Sequence, residues 1–299
     1  MMKEPRIFVI VGPTASGKSD CAVLIAKKVN GEIISADSRQ VYKGMNLGTG
    51  KITKKEMAGI PHHLLDTTNP WNEFSVSRYK RLGRKIIIEI IQRGKTPIVC
   101  GGTGHYIEAL VDGLIIPEVR PDKQLRKVLQ NKTPQELFKQ LQKLDPERAS
   151  TIDMHNPRRL VRAIEIATHL GRVPQKQYDP LPYKTLWIGI SKEKEELEKR
   201  IHTRLLSRIK KGMIQEIQNL HDGKLGRSVS WKKLDNFGLE YRYVSRHLRG
   251  LITKEEMIHQ LEKEIIDYSK RQHTWFKRNK RIQWINNEKG IEEILNSNS

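Results

Sequence analysis

Residues 12–19 constrain the fold of this chain more than any other stretch. They read GPTASGKS and fit the phosphate-binding-loop pattern G-x-x-x-x-G-K-[ST] without a mismatch. The continuous apolar run at 7–11 predicts a buried strand before the loop, and the sequence at 18–29 predicts a helix after it. A strand, this loop and a helix in succession predict an α/β fold, with a P-loop NTPase-like parallel sheet flanked by helices.

The residue types of this loop suit phosphate binding. Its glycines allow a tight turn in which backbone N–H groups and the helix N-terminus point at one spot. Lys18 would add a positive charge, and the Ser19 hydroxyl would hold Mg²⁺. ATP, GTP and a prenyl diphosphate carry the same linked phosphates, so the loop alone fixes neither substrate nor reaction. The diphosphate-binding candidates are Gly12, Pro13, Thr14, Ala15, Ser16, Gly17, Lys18 and Ser19.

Composition indicates a globular protein with a polyanionic partner. The 299 residues include 37% hydrophobic residues, enough for a sizeable core. Lys and Arg number 55 against 34 Asp and Glu, which gives a formal net charge of +21. Nucleic acid is the first candidate for the partner. Neither a signal peptide nor a membrane-spanning apolar run is recognisable, so we expect a cytoplasmic protein with no membrane association.

Two further predicted strands deliver polar residues to the edge of the sheet where ligands bind. The strand at 32–36 ends at Asp37, which could cap the next turn, hold Mg²⁺ through water or accept a proton. The strand at 96–100 opens into Gly-Gly-Thr-Gly, where Thr103 could donate its hydroxyl to a diphosphate or cap a helix. The intact phosphate loop favours the functional role for Thr103.

Helix signals replace strand signals between residues 119 and 184. Asn156-Pro157 is typical of a helix start, and the helix carries Arg158, Arg159 and Arg162. These arginines form either a solvated basic face or a contact to an RNA backbone. We therefore predict a catalytic core from residues 1–118 and 185–299, and a helical insertion domain at 119–184.

The densest mixture of cations and aromatic residues lies near the C-terminus. Residues 270–278 read KRQHTWFKR. Cations bind phosphates and aromatic rings stack on splayed bases, as in many proteins that hold single-stranded RNA loops. The alternative is that Trp275 and Phe276 pack in the core with solvated cations around them.

Several stretches in combination resemble one enzyme family, the tRNA dimethylallyltransferases, which prenylate the adenosine immediately 3′ of certain anticodons. The resemblance spans nearly the whole chain in family order. It implies a dimethylallyl diphosphate donor, a tRNA anticodon stem-loop as acceptor and a Mg²⁺ requirement, and we expect a monomer. The matching stretches are GPTASGKS at 12–19, ADSRQVYKGMNLGTGK at 36–51, PHHLLD at 61–66, GGTGHYIEAL at 101–110, a spaced Asp-Pro…Arg…Arg…Glu pattern at 145–165, and KRQHTWF at 270–276.

The resemblance also assigns roles to individual residues. Asp37 is implied as the general base toward the adenine exocyclic amine, Thr103 as a neighbour of the diphosphate and target base, and Arg204 as a catalytic cation. The residues implied to contact tRNA are Asp37, Ser38, Arg39, Gln40, Thr103, Arg126, Arg158, Arg159, Leu160, Val161, Arg162, Lys270, Arg271 and Gln272.

Two departures and three rival functions accompany this resemblance. Residues 237–241 read FGLEY where the family usually shows a GY-type motif, and no Cys/His zinc finger follows residue 276, which resembles the bacterial form. The nearest rival, prenylation of free adenine nucleotides, gives no reason for the +21 charge. A small-molecule kinase should carry an acidic metal motif after its strand, but the strand at 96–100 ends in Gly-Gly-Thr. An intact Lys18, Ser19 and Asp37 argue against a third rival, an RNA-binding protein with a vestigial loop.

Overall fold

A parallel sheet forms the centre of the structure, a computed structural model that describes residues 5–297. Within those residues the sheet has six strands, in the order β3-β2-β4-β1-β5-β6, and every neighbouring pair is parallel. The predicted α/β fold with a parallel sheet is therefore confirmed. The strands are β1 (Arg6–Val11), β2 (Gly31–Ser35), β3 (His62–His63), β4 (Thr96–Gly101), β5 (Lys184–Ile190) and β6 (Ile282–Ile285).

Helices cover the sheet and extend beyond it. Their starts follow the capping signals of the sequence: the hydroxyl of Ser75 accepts from the N–H of Arg78, and Thr253 forms a complete capping box with Glu256. The helices are α1 (Lys18–Val29), α2 (Lys54–Met57), α3 (Val76–Gln92), α4 (Gly104–Leu110), α5 (Lys123–Leu129), α6 (Pro134–Leu144), α7 (Pro146–Thr151), α8 (Pro157–Leu170), α9 (Lys194–Lys210), α10 (Met213–His221), α11 (Trp231–Phe237), α12 (Leu239–Leu248), α13 (Lys254–Lys277) and α14 (Glu288–Ser297).

Alternating side chains of the strands fill two cores on opposite faces of the sheet. Ile7 and Val9 of β1 pack with residues of α3 and α4, whereas Phe8 and Ile10 pack with residues of α1 and α14. Burial on both faces explains why β1 reads as a continuous apolar run. A third core lies among helices α9 to α13, together with Val41 and other residues of the loop that follows β2.

The chain divides into two compact units, residues 1–113 with 180–299, and residues 114–179. The second unit contains α5 to α8, whose apolar faces share a small core of their own. This unit begins five residues before the predicted start of the insertion at residue 119, and it ends five residues before the predicted end at residue 184. Across the part of the chain that the structure describes, no helix is long and apolar enough to cross a membrane.

Candidate active site

Three loops meet at one edge of the sheet because they follow three neighbouring strands, β2, β4 and β1. Backbone hydrogen bonds join two of them: the N–H of Ala36 donates to Cys100 O at 2.8 Å, and the N–H of Thr103 donates to Ala36 O at 3.1 Å. The loop that carries Asp37 and the loop that carries Thr103 are thus fixed side by side.

The phosphate-binding loop has the backbone geometry that its sequence requires. Gly12 and Gly17 have φ values of 153° and 93°, which favour glycine. A Cβ on Gly12 would lie 2.7 Å from Ile190 O, so the loop also packs too closely for a larger residue. Gly17 is the N-cap of α1 without a side-chain cap, and the Lys18 ammonium donates to Pro13 O at 3.1 Å. The start of α1 therefore presents backbone N–H groups and a cation together.

Lys18, Arg204 and Arg208 are cations beside this loop. The guanidinium of Arg204 on α9 donates to the Thr14 hydroxyl, and Arg208 one turn later donates to Glu240 at 3.2 Å. Burial lowers the pKa of Lys18, with a contribution from Arg204. Burial, together with the like charge of Arg208, lowers the pKa of Arg204 to about 9. Both shifts show that the charged forms are disfavoured by their surroundings, so an anion bound here would be stabilised.

A cleft of about 730 Å³ opens beside these cations. Its walls are the phosphate-binding loop with the start of α1, one side of α9, and the loop at 46–53. Lys18, Ser19, Arg204 and Arg208 all line it. The volume and the cationic lining suit a small organic diphosphate.

Asp37 uses one carboxylate oxygen to hold its own loop. Its Oδ1 accepts from the N–H of Arg39 at 2.8 Å and from the N–H of Gln40 at 3.2 Å. Its Oδ2 accepts no hydrogen bond from residues 5–297. Of the three roles open to Asp37 from the sequence, capping the turn is present in the structure. It uses only one oxygen, so a proton could still be accepted by the other.

Thr103 occupies the N-cap position of α4, but its side chain does not cap that helix. Its Oγ1 instead accepts from the N–H of Ser38 at 3.1 Å. The hydroxyl proton therefore remains able to donate to a ligand oxygen, and the Thr103 side chain is directly connected to the Asp37 loop.

Comparison with known proteins gives one consistent family. The family models described as IPP transferase and isopentenyl transferase match residues 40–279 and 5–73. The tRNA dimethylallyltransferase 2 of Trichlorobacter lovleyi is 41% identical over 285 residues, which cover 94% of this chain and 92% of that protein. The chain belongs to the tRNA dimethylallyltransferase family.

Solved structures of tRNA dimethylallyltransferases agree with this assignment. The tRNA isopentenylpyrophosphate transferase of Bacillus halodurans has a TM-score of 0.72 and 34% identity, over 99% of this chain and 96% of that one. A eukaryotic dimethylallyltransferase acting on tRNA has a TM-score of 0.74 and 27% identity, over 91% of this chain and 70% of that one. Both the P-loop fold and the family resemblance read from the sequence are confirmed.

Residues 237–241, where the sequence departs from the usual pattern of tRNA dimethylallyltransferases, support the wall of the cleft. The Tyr241 hydroxyl donates to the carboxylate of Glu216 at 3.2 Å. That carboxylate also accepts from the backbone N–H groups of Asn46, Leu47 and Gly48, at 2.9, 2.7 and 3.0 Å. Glu216 was missed by the sequence reasoning, since its charge on a helix gave no signal that it reaches a loop 168 to 170 residues away.

The three predicted tRNA contacts on α13 fall into two groups. Lys270 and Arg271 point to the surface of α13, where Lys270 pairs with Asp267 at 3.5 Å and Arg271 with Glu264 at 2.9 Å. Gln272 is 7% exposed and bonds to two loops of the site, so its side chain is not presented at the surface.

In the second unit, two of the four predicted arginines, Arg126 and Arg162, contact one buried carboxylate. Glu165 is 0% exposed and accepts two hydrogen bonds from Arg126, at 2.6 and 2.7 Å, and one from Arg162 at 3.3 Å. Arg158 and Arg159 are exposed on α8 and Val161 is half-buried. Leu160 is fully buried in the core of this unit, so its side chain is not presented at the surface.

Proposed function

We propose that this chain transfers a dimethylallyl group from dimethylallyl diphosphate to the exocyclic amine of the adenosine immediately 3′ of the anticodon in tRNAs. The allylic C–O bond breaks, a C–N bond forms, and diphosphate leaves. The observation that carries the proposal is the meeting of Asp37, Thr103 and the phosphate-binding loop at one sheet edge, in a chain of this family.

Leaving-group stabilisation is the larger part of the proposed chemistry. An allylic carbon ionises readily once the charge on the diphosphate is neutralised. Residues 12–19 would bind the diphosphate through backbone N–H groups, with Lys18 and Arg204 as cations and Thr103 as a hydroxyl donor. The lowered pKa values of Lys18 and Arg204 support this role, because a bound anion would relieve the cost of their burial.

Asp37 would take the amine proton as the new C–N bond forms. Its Oδ1 is held by two backbone N–H groups, which fixes the direction of the carboxylate. The unoccupied acceptor capacity of Oδ2 supports its role as general base. An adenine stacked in an RNA helix could not reach such a site, so the nucleotide would be extruded from the anticodon loop.

Ser19 is the residue that we propose to hold Mg²⁺. No group of three or more His, Cys, Asp or Glu side chains suited to a metal occurs in residues 5–297. A single hydroxyl donor from Ser19 still fits Mg²⁺, because this ion typically takes one or two protein oxygens and completes its coordination with phosphate oxygens and water. Ser19 lines the same cleft as Lys18 and Arg204. When bound, the ion would neutralise part of the diphosphate charge.

The tRNA would be held by cations that carry little sequence information. We propose that residues 38–40, the exposed Arg158 and Arg159, and Lys270 with Arg271 contact its backbone, and that the helical insertion is an RNA-binding domain. The net charge of +21 supports a polyanionic substrate. We further propose that the protein is a cytoplasmic monomer.

Mass spectrometry tests the proposal directly. The protein is incubated with Mg²⁺, dimethylallyl diphosphate and an unmodified tRNA with adenosines at and beside the 3′ side of the anticodon, and a parallel sample contains AMP in place of tRNA. Addition of one five-carbon unit to the tRNA alone is the expected result. Addition to AMP would contradict the proposed acceptor, and no addition to either would refute prenyl transfer.

A further inference from the structure

One side-chain amide connects the two glycine-rich loops of the site. Gln272 on α13 accepts from the N–H of Thr14 at 2.8 Å through its Oε1. Its Nε2 donates to Gly102 O at 2.9 Å, in a bond that is fully buried. The side chain is 7% exposed, so both halves of the amide serve the protein and neither is directed to the surface.

Helix α13 lies very close to the loop that carries Thr103. A Cβ on Gly102 would lie 2.2 Å from the Gln272 amide nitrogen, and a Cβ on Gly104 would lie 2.1 Å from the indole nitrogen of Trp275. These separations are shorter than any contact that a Cβ could keep with these side chains. Positions 102 and 104 therefore carry glycine partly because α13 occupies the space of the missing side chains.

Thr14 is held from two sides at once. Its backbone N–H donates a hydrogen bond to Oε1 of Gln272 on α13, and its hydroxyl accepts one from Arg204 on α9. Because β1 and β4 are paired neighbours in the sheet, a contact that joins their following loops fixes the distance between the bound diphosphate and Thr103. Reaction requires the donor carbon, the diphosphate and the acceptor amine in one geometry, and small displacements cost rate.

We propose that Gln272 is a positioning residue that sets the phosphate-binding loop against the Thr103 loop, and is not a tRNA contact. This inference rests on the proposed function and deepens it. A glutamine fits because the position needs an acceptor toward Thr14 and a donor toward Gly102. Glutamate supplies the acceptor only and would face a carbonyl oxygen, and methionine of similar length supplies neither bond.

The test compares Gln272→Met with Arg271→Ala, a neighbour on the same helix whose side chain is 58% exposed. Inorganic diphosphate binding with Mg²⁺, tRNA binding, and kcat and KM for transfer are measured for each. Gln272→Met should weaken diphosphate binding about tenfold and lower kcat, with tRNA affinity unchanged. Arg271→Ala should weaken tRNA binding and leave diphosphate binding unchanged.

A second variant separates positioning from simple loss of stability. Gln272→Glu keeps the acceptor but loses the donor, and its protonated acid can again donate to Gly102 O. Its diphosphate affinity, relative to wild type, should therefore recover as the pH falls from about 8 to about 6, since burial raises the pKa of a carboxylic acid. Protonation would also relieve any general destabilisation by the buried carboxylate, so hydrogen exchange of the sheet amides is measured over the same pH range and should stay constant while the diphosphate affinity recovers.

The outcomes distinguish this inference from the proposed function. Suppose that the wild-type protein binds diphosphate and prenylates tRNA, but the Gln272→Met variant loses only tRNA affinity or loses nothing. This result would overturn the positioning role alone. Absence of recovery for Gln272→Glu at lower pH would also overturn it. Wild type that neither binds diphosphate nor transfers a prenyl group would overturn the proposed function and this inference with it.

Discussion

Replacement of Glu165 by glutamine should loosen the second unit at one defined place. The Glu165 carboxylate joins α8 to α5 by accepting from Arg126 and from the N–H of Asp122, and it also holds Arg162. A glutamine of the same size retains one acceptor oxygen and turns an N–H₂ group toward the guanidinium groups. About two charge-assisted hydrogen bonds are thus lost from a fully buried position.

The expected cost follows from these contacts. Each hydrogen bond to a charged group contributes about 1.5–3 kcal/mol, and breaking a buried ion pair costs about 3–5 kcal/mol. The side chains of Arg126 and Arg162 are 41% and 33% exposed, so water can solvate part of each released cation. We therefore expect Glu165→Gln to reduce the free energy of local unfolding of α5 and α8 by an amount near the lower end of this range, about 3 kcal/mol.

Hydrogen exchange measures this loss locally, without the assumption that the whole chain unfolds in one step. Amides of α5 and α8 should exchange about a hundredfold faster in Glu165→Gln, and amides of the parallel sheet should be unaffected. Glu136→Gln is the matched control, because glutamine retains the capping box of α6. Unchanged protection of α5 and α8 in Glu165→Gln would refute the reasoning.

The stability that Glu165 contributes to the second unit also depends on pH. Burial alone would raise the pKa of Glu165, but the hydrogen bonds from Arg126 and from the Asp122 N–H outweigh it and lower the pKa. The folded-state pKa lies below the unfolded value of about 4.3. The stability that the ionised Glu165 carboxylate contributes is therefore present above that pH and is lost as the pH falls through the folded-state pKa. Wild-type α5 and α8 should lose protection in this acidic range, and the difference between wild type and Glu165→Gln should shrink there.

Three further predictions concern the site and the RNA surface. Asp37→Asn should lower the transfer rate by about 10²–10⁴-fold with tRNA affinity retained, measured by single-turnover transfer and filter binding; normal turnover would exclude the general base. The double variant Arg158→Ala with Arg159→Ala should reduce the salt dependence of tRNA binding by about 0.7–0.9 per arginine in a log–log plot, and an unchanged slope would place the RNA elsewhere. Glu216→Gln should raise KM for dimethylallyl diphosphate about tenfold by releasing the loop at 46–48, and Tyr241→Phe, which removes one of its four hydrogen bonds, should raise it less; equal effects of the two variants would contradict this order.

Local signals in the sequence predicted the elements of the fold well. Ser75, Thr133 and Thr253 are residue types that favour a helix start, and each caps a helix in the structure, because the cap is satisfied within three residues of itself. The strands predicted at 7–11 and 96–100 lie within the observed strands Arg6–Val11 and Thr96–Gly101. The strand β6 at Ile282–Ile285 was missed, since four residues at a sheet edge leave too short a pattern to recognise.

The sequence predicted those parts of the candidate site that lie in loops directly after strands. The phosphate-binding loop, Asp37 and Thr103 follow strands, and neighbouring parallel strands bring such loops to one edge. The environment of Gln272 was not predictable: the sequence and the resemblance indicated an RNA-binding surface, whereas the side chain is turned toward the sheet. Its orientation depends on how α13 packs against two loops more than 160 residues away in sequence.

The helices that follow β5 are therefore part of the proposed donor site and not a cover over it. Arg204 reaches Thr14 across 190 residues, Glu216 reaches the loop at 46–48 across about 170, and Gln272 reaches Thr14 across 258. A phosphate-binding loop on the sheet supplies backbone N–H groups, but the cation that contacts it comes from α9, and the amide that joins it to Gly102 in the neighbouring loop comes from α13. The motif at 12–19 consequently indicates that phosphate binds, whereas the chemistry done with that phosphate depends on contacts that only the complete fold provides.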